Sequence, residues 1–129
     1  MRGLAVLVAL VALAACGKDE TIAGRTTPQT VWTLVEMDED AISATFTIQF
    51  DVEGASFGQA DCNRFNTTQT APYPWIEFGP IAATKALCAN SDIEQRFFAA
   101  LGNAETVEIA GDTLLISGPQ TILTFKSNG

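Results

Sequence analysis

The chain has no histidine among its 129 residues, which removes the Ser-His-Asp and Cys-His catalytic arrangements together with the commonest metal ligand. It is also poor in cations, with seven Lys and Arg against fifteen Asp and Glu and a formal charge of −8. A polyanionic nucleic acid is excluded as a partner on that balance. Cysteine occurs three times, never as Cys-x-x-Cys, so neither the ordinary zinc spacing nor a thioredoxin-type redox pair is present. Asp38, Glu39 and Asp40 form an acidic run but lack the alternating ligands, the glycine and the terminal glutamate of a calcium loop. No cofactor and no metal is expected. The remaining carboxylates are scattered, and nothing in the spacing of Asp61, Glu77 and Glu94 selects a glycosidase-like pair.

Long apolar runs are missing too, except at the start. Met1 and Arg2 precede an apolar stretch from Leu4 to Leu13 that ends in small residues, the anatomy of a secretory signal. Leu4 to Ala15 is twelve residues, short of the roughly 20 that a spanning helix needs. Leu13-Ala14-Ala15-Cys16 resembles the lipobox of bacterial lipoproteins, which implies cleavage before Cys16 and acylation of Cys16. The alternative is an ordinary cleaved signal followed by a free thiol. A multiply acylated cysteine anchors stably, at about 0.8 kcal/mol per buried CH₂, so the membrane is an expected partner through Cys16. Gly17, being other than Asp, implies the periplasmic side of the outer membrane in a cell with two membranes.

Removing residues 1–15 of 129 leaves 114 residues, the size of one domain. Once Cys16 is assigned to the lipid, Cys62 and Cys88 remain as an even pair. In an oxidising compartment such a pair tends to form a disulfide worth about 3 to 4 kcal/mol; the alternative is two buried free thiols packing as small hydrophobes. Residues 16–29 are polar and broken by glycine, and read as an acylated N-terminus and flexible tether spanning roughly 20 Å. The folded domain is expected over residues 30–129.

Strand signals follow at Val31–Val35, Thr45–Val52, Ala55–Ala60, Tyr73–Phe78, Thr106–Ala110, Thr113–Ser117 and Thr121–Lys126. Phe46, Ile48, Phe50 and Val52 alternate onto one face, and Gly111-Asp112 suits a two-residue hairpin turn. One helix is marked by Ser91-Asp92-Ile93-Glu94 as a capping box, by the stripe Ile93, Phe97, Ala100 and Leu101, and by Gly102 as a left-handed stop. Strands, one helix and more strands on short connections predict an α+β fold: an antiparallel sheet of about six to seven strands carrying an amphipathic helix.

The segment Asp61-Cys62-Asn63-Arg64-Phe65 is polar and carries one cation directly after a strand. It reads either as a tight corner, since Asp and Asn form turns, or as a small recognition site of Asp61, Asn63 and Arg64, with Arg64 gripping a carboxylate.

Trp32-Thr33-Leu34, Cys62-Asn63-Arg64-Phe65, Thr84-Lys85-Ala86-Leu87-Cys88, and Glu94, Phe97 and Leu101 on the helix together resemble the META domain family, that of the heat-inducible HslJ-like lipoproteins. The resemblance runs from about Trp32 to Lys126. It implies a curved antiparallel sheet with one helix, no enzyme activity, and an envelope or secreted protein associated with heat stress and drug tolerance. Two departures stand out: Asp61 occupies a position that is usually glycine in the family, and Asn66-Thr67-Thr68-Gln69 replaces a glycine followed by an aromatic. The functional expectation is a non-enzymatic envelope lipoprotein that supports stress tolerance by binding a protein or small ligand. The rival is an acidic inhibitor of a basic envelope-attacking enzyme such as lysozyme. A third reading, a carrier of apolar ligands, needs an unfilled interior.

Overall fold

A computed structural model describes residues 19–128. The expected signal segment, the expected lipidation site Cys16 and Gly17 lie outside the described residues. Nine strands and one helix follow in the order β1 Trp32–Met37, β2 Asp40–Ala41, β3 Thr47–Phe50, β4 Ala55–Ala60, β5 Asn63–Thr68, β6 Ala82–Ala83, α1 Ser91–Gly102, β7 Thr106–Ala110, β8 Thr113–Ser117 and β9 Ile122–Ser127. The sheet order is β6-β5-β4-β3-β1-β9-β8-β7, with β2 pairing on β1, and every pairing is antiparallel. The α+β reading stands, with nine strands in place of six to seven.

The first strand is central and joins an N-terminal meander, β3 to β6, to a C-terminal one, β7 to β9. The segment expected as a strand at Tyr73–Phe78 instead ties the two ends of the sheet together. On one side Val107 N donates to Pro74 O at 2.8 Å and Ile76 N to Glu105 O at 3.1 Å. On the other, Gly79 N donates to Thr68 O at 2.8 Å, and Phe78 bridges Gln69. The edge of β7 and the end of β5 are thereby covered, which is one way a sheet avoids presenting unpaired backbone.

Inward-facing Phe46, Ile48, Phe50, Leu34, Met37, Leu114, Ile116, Leu123 and Phe125 fill the curve of the sheet, and Phe97 and Leu101 of α1 complete the core. Phe97 sits among aromatic rings, 5.0 Å from Phe46, 5.7 Å from Phe65 and 6.4 Å from Phe125. Tilted and edge-on pairs of this kind add about 0.5 to 1.5 kcal/mol each beyond their burial. This packing leaves the curve of the sheet filled by its own side chains, which argues against the carrier reading.

Several local expectations are corrected. Val52 is 59% exposed, because β3 ends at Phe50 and the turn through Gly54, at φ 84°, carries Val52 off the inner face. The helix begins at Ser91, with Asn90 as its cap and no side-chain cap bond. The Glu94 carboxylate accepts from Asn63 instead of closing a capping box with Ser91. Gly102 is the last helical residue, and the chain leaves through Asn103 at φ −105°, so the left-handed stop is absent. Gly111 alone of its pair has positive φ, at 62°, the pattern of a type II′ turn.

The expected tether is shorter than the composition suggests. Ile22–Arg25 forms a 3₁₀ turn, Ile22 is fully buried and Ala23 nearly so. Two apolar residues in a polar run were enough to dock it, since burying one isoleucine side chain is worth about 1.5 to 3 kcal/mol. Tyr73 N also donates to Glu20 O at 2.7 Å, and the Arg25 guanidinium stacks 4.3 Å from the Tyr73 ring centroid.

A few polar groups are buried on the inner faces of β4 and β5, where Ser56 opposes Thr67. The Thr67 hydroxyl donates to Gly79 O at 2.9 Å, whereas Ser56 Oγ has no partner. A buried hydroxyl without a bond contributes desolvation cost and no compensation. Ser56→Ala is therefore expected to leave stability unchanged or raise it by up to about 1 kcal/mol, read as a constant or higher urea midpoint. A loss of similar size would show that the hydroxyl is bonded in solution.

Candidate functional site

The polar residues of Asp61 to Arg64 are separated by strand geometry, not gathered into a recognition pocket. Asp61 and Cys62 form the turn between β4 and β5, with Asp61 at φ 57°, a left-handed conformation that Gly, Asn and Asp adopt most readily. That accounts for the departure from glycine here, since aspartate can keep the same backbone. The Asp61 carboxylate also accepts from Asn90 N at 3.3 Å, placing a negative charge at the start of α1, where the helix dipole favours it.

Successive side chains on a strand point to opposite faces. Asn63 consequently points inward and is 1% exposed, while Arg64 points outward and is exposed. The Arg64 guanidinium makes no ion pair among the described residues. Of the two readings of this segment, the geometry shows the tight corner, at Asp61 and Cys62; Asn63 is consumed by the fold and Arg64 lies on the opposite face of β5.

Asn63 is the hub of a lock. Its Nδ2 donates to Glu94 Oε2 at 2.8 Å and to Ala86 O at 3.0 Å, with Cys88 Sγ at 3.5 Å. Its Oδ1 accepts from Ala86 N at 2.8 Å and from the Thr84 hydroxyl at 2.9 Å. The side-chain amide thus pairs with both backbone groups of Ala86, as a neighbouring strand would. Thr84 is fixed as well, because its N donates to Arg64 O at 3.0 Å and its Oγ1 accepts from Arg64 N at 3.0 Å. Cys62 and Cys88 are joined as a disulfide with Cα atoms 5.9 Å apart, inside the usual 4.4–6.8 Å span. Asp61 brings a carboxylate within 4.8 Å of the two sulfurs; sulfurs bonded to each other are not thiolate ligands.

The loop from Thr84 to Cys88 is the product of this arrangement. It is held from inside at Thr84, Ala86 and Cys88, and it turns Lys85 and Leu87 outward. Leu87 is 99% exposed. Composition and spacing do not mark Thr84, Lys85, Leu87 and Glu94 as site residues. The signal that contained them was the family-like pattern joining Cys62-Asn63-Arg64-Phe65, Thr84 to Cys88 and Glu94.

Surface cavities among the described residues lie elsewhere. One of about 260 Å³ runs between the end of α1 and the β8–β9 turn, lined by Arg96, Asn103, Gln120 and Thr121; Arg96 there leans toward Asp40 at 4.0 Å. Another lies beside Trp75. Among the described residues no helix is long and apolar enough to cross a membrane.

Comparison with known proteins agrees with this fold. No curated protein matches the chain. A solved NMR structure of a protein from Burkholderia xenovorans is similar at 18% identity and a TM-score of 0.64, covering 83% of this chain and 87% of that one. A second NMR structure gives 19% identity and a TM-score of 0.64, covering 77% and 89%. At these identities the likeness speaks for the fold. The sequence profile of the META domain matches residues 25–129, a span that takes in the Asn63 hub, the locked loop and the helix, and the chain belongs to the META domain family.

Proposed function

We propose that the protein is a non-enzymatic envelope lipoprotein, acylated at Cys16, whose META domain supports stress or drug tolerance by binding a protein or small ligand through the loop Thr84–Cys88. The observation that carries this reading is Leu87, 99% exposed on a loop held by a buried asparagine and a disulfide. An ordinary flexible loop would lose conformational entropy on binding; one fixed beforehand loses little, which raises affinity for a given contact area. The side chains of Asn63, Thr84 and Glu94 are engaged in holding that loop. Ile22 is already packed into the domain, six residues after the proposed anchor at Cys16, which holds the domain near the lipid surface.

The test is a pull-down with the acylated protein from intact envelope, compared with Leu87→Asp. Leu87 makes no core contact, so the substitution is expected to change stability by no more than about 0.5 kcal/mol while removing a specific partner. Equal capture by both proteins, or saturable turnover of a substrate by the purified domain, contradicts the proposal.

The second reading, inhibition of a basic envelope-attacking enzyme, draws on the acidic balance of the chain and on only two ion pairs among the described residues, which leaves most carboxylates free to act on a cationic partner. Electrostatic steering weakens with salt. Inhibition of lysozyme that falls steeply as salt is raised supports this reading; unchanged lysozyme activity at low and high salt removes it.

A further inference from the structure

Trp75 is 58% exposed, whereas the other tryptophan, Trp32, is buried with its Nε1 donating to Thr26 Oγ1 at 3.2 Å. The reason lies in the segment that ties the sheet ends together. Ile76 and Phe78 turn into the core, so Trp75 and Glu77 turn out. Trp75 bridges Thr106 across to β7, and Ile76 N donates to Glu105 O at 3.1 Å, which brings Glu105 alongside. The result is a shallow, open surface cavity of about 480 Å³ bordered by Trp75, with Glu77 and Glu105 as exposed acids and Ala71, Ile76 and Ala104 as its apolar lining.

Neither glutamate is in an ion pair among the described residues. A half-exposed indole lining the same cavity as two unpaired carboxylates attracts a weakly hydrated cation twice over: by the ring quadrupole, best developed in tryptophan, and by direct charge. An apolar lining suits the methylene or methyl groups such a cation carries and has little to offer a small, strongly hydrated metal ion, whose dehydration needs several oxygen ligands. Anions are repelled. We infer that the cavity formed by Trp75, Glu77 and Glu105 is a binding site for an organic cation, an alkylammonium or guanidinium group.

The same chemistry is offered by a small alkylammonium compound and by a Lys or Arg side chain presented on a protein, so the test carries both. The Trp75 indole N–H resonance is followed in the mature chain that cleavage before Cys16 would leave, residues 16–129, while choline, N-acetyl-lysine methylamide and N-acetyl-arginine methylamide are titrated in turn at constant ionic strength. The control is 3,3-dimethylbutan-1-ol, the neutral isostere of choline. A saturable shift with a Kd in the range of about 1 to 10 mM is expected for a cation, with the neutral isostere about tenfold weaker. Tighter binding of choline assigns the site to small alkylammonium compounds, and tighter binding of either amino-acid amide assigns it to protein side chains.

The double change Glu77→Gln, Glu105→Gln is expected to weaken binding by about tenfold, and Trp75→Leu, followed at the Thr106 amide, to abolish it. Because Trp75 lies outside the core, the unfolding midpoint of the leucine variant should match that of the native protein. Absence of saturation with every cation, equal affinity for the neutral isostere, or retained binding in the leucine variant overturns the inference.

Discussion

Asn63→Ala is expected to cost the domain about 2 to 4 kcal/mol, read as a lower urea midpoint at unchanged slope. The argument is one of partners lost together. Alanine removes every bond the Asn63 amide makes to Ala86, Thr84 and Glu94, and each net bond is worth about 1 kcal/mol. Water can reach the exposed Ala86 and repair part of the loss, which keeps the effect below the simple sum. The Glu94 carboxylate, half-buried, also loses a neutral donor.

Asn63→Asp separates hydrogen bonding from shape. It keeps the acceptor for Ala86 N and Thr84 but sets a second carboxylate where Nδ2 now lies 2.8 Å from Glu94 Oε2. Two carboxylates so close disfavour joint ionisation in the folded state. Proton uptake is then easier in the folded protein than in the unfolded one, so stability is retained at acid pH and lost as pH rises. The variant is expected to unfold more readily at neutral pH than at acid pH; a flat profile would mean that the amide is not in contact with Glu94.

Removing the disulfide is the second large effect. Cys62 and Cys88 are 26 residues apart in sequence, and releasing that closure from the unfolded ensemble costs about 3.5 kcal/mol on the chain-entropy model. Cys62→Ser with Cys88→Ser, or reduction of the native protein, should lower the unfolding midpoint accordingly. The loss should not add simply to that of Asn63→Ala. Both elements hold the same loop, and neighbours that share partners show coupling of about 0.5 to 3 kcal/mol. Since the net stability of a single domain is about 5 to 15 kcal/mol, the combined variant approaches unfolding. Additivity of the two losses would indicate that the disulfide and the amide act on separate parts of the protein.

Much of this fold is legible in the sequence, and its failures have physical causes. Ala55–Ala60, Thr106–Ala110 and Thr113–Ser117 are strands at their expected bounds, and the helix covers Ser91–Gly102, because each pairs clear turn signals with an apolar face. The strand Asn63–Thr68 carries no apolar period, because its inward residues include Asn63 and Thr67; its alternation is one of burial and not of hydrophobicity. The two-residue strand Ala82–Ala83 is too short to carry a period. Tyr73–Phe78 has a strand-like inner face, yet it serves as a strap across two sheet ends, a long-range relation that local pattern does not contain.

The lock was legible only in pieces. The cysteine count isolates Cys62 and Cys88, and polarity marks Asp61, Asn63 and Arg64 without distinguishing the buried amide from the exposed guanidinium. Their different fates follow from strand alternation, which became usable once the segment was placed in β5. The exposure of Leu87 depends on what grips Thr84, Ala86 and Cys88 from behind, and those contacts join residues more than 20 positions apart.

Amide hydrogen exchange at Lys85, Ala86 and Leu87 tests the central claim most directly. Ala86 N donates to the buried Asn63 side chain, so its amide is expected to be protected while those of Lys85 and Leu87 on either side exchange rapidly, and protection at Ala86 should vanish in Asn63→Ala. Fast exchange at all three amides in the native protein would contradict a loop locked from within, and with it the rigid presentation of Leu87.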